Sequence, residues 1–82
     1  MTITSEDVRR LLESDADTVL VVIEGRTEVI SAADVDDEPH RGALQVISRA
    51  DLLARLGSEA PSDREVEEQA GALDMAVSEL GG

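Results

Sequence analysis

Apolar positions along this chain fall into six patterned stretches, and each predicts one element. Val8, Leu11 and Leu12 share one face of a helix. Ahead of them Thr4-Ser5-Glu6-Asp7 is a Thr-x-x-Asp capping box, whose hydroxyl and carboxylate satisfy the first free amides. Ser14-Asp15-Ala16-Asp17 ends that helix. Thr18 to Glu24 is then β-branched and apolar at consecutive positions, the pattern of a strand covered on both faces. Gly25-Arg26 follows as a two-residue hairpin loop of type II′, with Gly leading. That register sets Val22 opposite Val29 and Val21 opposite Ile30. Apolar pairs on both faces make the first strand central.

The chain next repeats a short pattern. Val29-Ile30-Ser31-Ala32-Ala33-Asp34-Val35 is echoed by Val46-Ile47-Ser48-Arg49-Ala50-Asp51-Leu52. Both read as the end of a strand, a Ser N-cap, and an Asp three residues on that completes the cap. The second copy follows a third strand, Ala43 to Ile47, and continues as a helix through Leu52, Leu53 and Leu56 until Gly57 stops it. The first copy gains one turn at most before Asp36-Asp37-Glu38-Pro39 halts it, leaving residues 36–42 as a loop.

Ser58 to Ser62 reads as a linker. Ser62-x-x-Glu65 is another capping box, opening a helix that runs to about Leu80. Val66, Ala70, Leu73, Val77 and Leu80 form one stripe along it, with the alternating spacing of a coiled-coil seam. The stripe packs either on the protein's own sheet or against a second copy. In a parallel pair Gln69 faces Asp74 of the other chain. The pattern as a whole predicts an α+β fold in the order α-β-β-β-α-α, with a three-stranded, at least partly antiparallel sheet. Residues 1–57 make a compact core, 58–62 a linker, and 63–82 an acidic helix packed on that core or at a dimer interface.

Composition changes this picture in three ways. There is no Phe, Tyr or Trp, so the interior is built from nine valines, nine leucines, four isoleucines and alanine. There is no cysteine, which removes disulfides and thiolate metal sites and fits a reducing compartment. The net charge is −12, from 19 acidic residues against seven arginines and no lysine. Arginine without lysine, beside abundant Ala, Val, Gly and Asp, fits a GC-rich genome or a halophile. No basic stripe exists to neutralise phosphates, so nucleic acid is not an expected partner. No apolar run approaches the roughly 18 residues of a membrane span, and the start resembles no leader. The expected location is the cytoplasm.

Candidate chemistry is sparse. Residues 4–35 resemble one CBS repeat: a helix, two strands joined by a tight turn, and the hydrophobic-hydrophobic-Ser-x-x-Asp step into a helix. Glu28 stands where that family usually has Gly, and the chain lacks a full second repeat. The resemblance implies that Ser31 and Asp34, with Ser48 and Asp51 repeating the pattern, contact an adenosine nucleotide; helix capping explains the same residues. Asp34-Val35-Asp36-Asp37-Glu38-Pro39-His40 holds oxygen ligands and the single histidine. Its only nearby glycine, Gly42, lies outside the ligand set and Pro39 stiffens it, so a solvated loop is expected and no metal. No Gly-x-Ser-x-Gly turn, Cys or Lys nucleophile, or glycine-rich phosphate loop appears, so neither catalysis nor a cofactor is expected. Gly81-Gly82 matches the ending of ubiquitin-like modifiers and sulfur carriers, but here the glycines follow a helix, where Gly is an ordinary stop. The expectation is a small acidic accessory or regulatory protein acting through protein contacts, with a partner or with itself. A nucleotide-binding module and a DNA-mimic inhibitor of a basic protein are the alternatives.

Overall fold

Local signals in the chain account for most element boundaries in the computed structural model, which describes residues 2–35, 42–58 and 60–81, and their side chains except at 80 and 81. Helix α1 (Ser5–Glu13) opens on the expected box: the Asp7 amide donates to Thr4 Oγ1, and the Thr4 amide to Asp7 Oδ2 at 2.9 Å. It closes where the Ser14 hydroxyl turns back onto the Leu11 carbonyl. Arg49 Nε, from a distant part of the chain, donates to the Leu12 carbonyl at 3.2 Å. Two of the carbonyls left free at the helix end are thereby satisfied.

Strands β1 (Thr18–Ile23) and β2 (Arg26–Ser31) form the expected hairpin, but in a different register. The loop is Glu24-Gly25, not Gly25-Arg26, and Val21 lies opposite Glu28 while Leu20 lies opposite Val29. Both loop residues have positive φ, 52° at Glu24 and 80° at Gly25, as a type I′ turn requires. The expected type II′ register would have set Ser31 beside Leu20, which is fully buried. The observed one gives Leu20 an apolar neighbour and leaves Ser31 at the end of the sheet, opposite Thr18. Because the pairing shifts by two positions on β2, every side chain keeps its face.

Strand β3 (Leu44–Ser48) begins and ends one residue later than the sequence predicts. It joins the free side of β1, so the sheet order is β2-β1-β3, antiparallel throughout, with β1 central as expected. A bulge separates the pairs Leu20–Ile47 and Val21–Gln45, leaving Val46 as the extra residue. The bulge has a packing reason. Leu44 and Ile47 are three apart in sequence, and a regular strand would send them to opposite faces. With Val46 inserted, both reach the side that Leu20 and Val22 share, and both join the core. Val19, Leu20 and Val21 are buried in succession, in keeping with the central place of β1 between two neighbouring strands.

Helix α2 (Arg49–Leu56) starts at the Ser48 cap and stops at Gly57, whose φ of 72° is the left-handed C-cap the sequence predicts. Helix α3 (Asp63–Gly81) starts on a reciprocal box: the Ser62 amide donates to Glu65 Oε1 and the Glu65 amide to Ser62 Oγ. α1 lies over β1 and β2, and α2 over β1 and β3, so the two cover one face of the sheet. α3 packs chiefly against α1. Its Val66, Ala70, Leu73 and Val77 close one cluster with Ile3, Val8, Leu11, Leu20, Ile47 and Leu52.

Candidate functional site

The two Ser-x-x-Asp steps, distant in sequence, meet at one end of the sheet. β2 and β3 both run antiparallel to β1, so both finish at its start: Ser31 faces Thr18 and Ser48 faces Val19. One strand separates them, which places the two serines two inter-strand spacings apart, about 10 Å. Each hydroxyl caps its own turn. Ser48 Oγ accepts from the Asp51 amide at 3.1 Å, as the capping reading requires. Ser31 Oγ accepts from the Ala33 amide at 3.3 Å, not from Asp34. The difference is geometric. The first step leads into a short 3₁₀ turn, Ala32–Asp34, tighter than the α-helix that follows the second. The Ala32 amide also donates to the Asp17 carbonyl at 2.7 Å, tying this turn to the entrance of β1.

A serine hydroxyl that accepts from the backbone amide of a following residue keeps its proton to donate. Asp34 and Asp51 are exposed carboxylates beside the two steps. Thr18 and Val19 are adjacent in β1 and point to opposite faces, so their partners Ser31 and Ser48 do too, and the two steps share an end of the sheet without forming one set of donors and acceptors. Arg49, at the start of α2, has its Nε committed to the Leu12 carbonyl.

The acidic stretch 36–40, with Pro39 and His40, lies outside the described residues, as does Gly82. Among the described residues, no group of three or more His, Asp or Glu side chains is arranged to hold a metal ion. No helix among them is long and apolar enough to cross a membrane.

The C-terminal helix presents two different faces. Inward, Val66, Ala70, Leu73 and Val77 are no more than 8 % exposed within the single chain, while the Leu80 side chain lies outside the description. One flank holds the helix to α1 and to the segment before it. Asp63 pairs with Arg9. Asp74 Oδ1 accepts from the Thr2 amide at 2.7 Å and the Ile3 amide at 3.0 Å. These bonds, the one from Ile3 foremost, hold the Asp74 carboxyl below its ordinary range, because they favour the charged form. They also fix the chain where Ile3, fully buried, enters the core. The carboxylate that would face Gln69 of a second chain is thus engaged by its own.

Outward, α3 exposes Glu68, Ala72, Met75, Ala76 and Glu79. Met75 is 65 % exposed, the one large apolar side chain so placed among the described residues. Glu68 forms an ion pair with Arg64 one turn away, at 3.2 Å. Beside this face, between α3 and the start of α1, an open groove of about 300 Å³ is lined by Thr4, Ser5, Glu67 and Ala70.

Two structural carboxylates escaped the sequence reading. Asp7 was legible as a cap, yet it is 4 % exposed and also accepts from Thr27 Oγ1 of β2 at 2.8 Å, with Arg10 at 3.2 Å. Asp74 carried no signal, since its donors are backbone amides 71 and 72 residues away.

Comparison with protein-family models finds no match, and neither curated proteins nor solved structures give one.

Proposed function

We propose that this protein is a small acidic binding module, non-enzymatic and cytoplasmic, that acts by presenting the outer face of α3 to a protein partner. One observation carries the reading: α3 is fixed from behind by four buried side chains, while Met75 stands 65 % exposed on its far side among small alanines. A helix anchored in this way presents a pre-organised surface, so little ordering cost falls on binding. Methionine is adaptable and polarisable, and it recurs at surfaces that accept a partner. The flanking Glu68 and Glu79 favour a partner with basic side chains at the rim, where charge steers encounter and sets register.

The test is affinity capture from the native host with mass spectrometry, using the wild type and Met75→Asp side by side. Met75 buries little, so the variant should keep the wild-type melting temperature and lose the captured protein. Equal capture by both proteins would move the interaction off α3.

Nucleotide binding is the second reading, resting on the repeated Ser-x-x-Asp step, although the two serines lie on opposite faces at one end of the sheet. A nucleotide titration followed by NMR would then perturb Ser31, Asp34, Ser48 and Asp51 together. Shifts scattered elsewhere, or none, would leave these residues as caps alone.

A further inference from the structure

We draw no further inference here: the strongest candidate, the outer rim of the sheet along β2, carries nothing because nothing in the structure shows what covers it.

Discussion

Asp7→Ala removes one half of the α1 capping box and the tie between α1 and β2 in one step. The carboxylate accepts from the Thr4 amide, the Thr4 hydroxyl and the Thr27 hydroxyl, and it lies 3.2 Å from Arg10. Loss of the reciprocal bond from the Thr4 amide costs about 1 kcal/mol. A partly buried Thr27 hydroxyl left without its acceptor adds about 1–3 kcal/mol. The Arg10 contact, half in solvent, adds little. The total is about 2–4 kcal/mol, a large share of the stability of a domain this size. Urea denaturation followed by circular dichroism reads it directly. A double-mutant cycle with Thr27→Val isolates the inter-element bond, and the coupling should be about 1 kcal/mol. Asp7→Asn should recover part of the loss, because its carbonyl oxygen can still accept. If Asp7→Ala costs less than about 0.5 kcal/mol, or if the cycle shows no coupling, then Asp7 caps α1 without holding it to the sheet.

Other parts of the fold make their own predictions. Leu73, 2 % exposed in the middle of the α3 stripe, should cost about 2–5 kcal/mol when cut to Ala, read by the same denaturation. The Asp74 carboxyl sits below the ordinary aspartate value of 3.8, so its stabilising contribution is complete above that value and lost as pH falls through it toward the folded-state value. Asp74→Ala should therefore lower stability at pH 7 and shrink the wild-type advantage toward pH 3; an advantage constant with pH would contradict the role of its charge. In the hairpin, Glu24→Asn should stabilise by a few tenths of a kcal/mol, because Asn accepts positive φ better than Glu. Gly25→Ala should destabilise by about 1 kcal/mol although nothing lies within 4 Å of the added methyl, since the φ of 80° alone disfavours it. Gly25 needs positive φ in either turn, so Glu24 discriminates: a Glu24→Asn variant that loses stability in thermal melts would point back to the type II′ loop, where Glu24 is a strand residue.

What could be read from the chain was what neighbouring residues decide among themselves. The caps at Thr4, Ser48 and Ser62, the stop at Gly57 and the central place of β1 depend on a few adjacent side chains or on one continuous apolar run, and all of them stand in the structure. The hairpin loop moved by one residue, and the observed register gives Leu20 an apolar neighbour while setting Val21 against Glu28, so cross-strand pairing alone does not choose between two Gly-containing turns. The bulge at Val46 was hidden for a similar reason. With it, Leu44 and Ile47 both reach the core face, a tertiary arrangement that their spacing in sequence does not announce. The destination of α3 was hidden too, because a stripe of apolar residues states that a face is buried and leaves open what buries it.

The same distinction bears on the acidity. A charge of −12 reads as a property of the whole surface, yet several of the carboxylates behind it have local work that no composition could reveal. Asp7 joins α1 to β2, Asp63 pairs with Arg9, Glu65 closes the α3 cap, and Asp74 fixes the segment that carries Ile3 into the core. Three of these four belong to α3 or receive it, so the acidic C-terminal third takes part in the fold and is not a loose tail. That matters for the binding proposal. Neutralising acids wholesale along α3 would damage its attachment and its surface together, and a lost interaction could then mean either. Met75 separates the two, because it faces away from every contact that holds the helix in place.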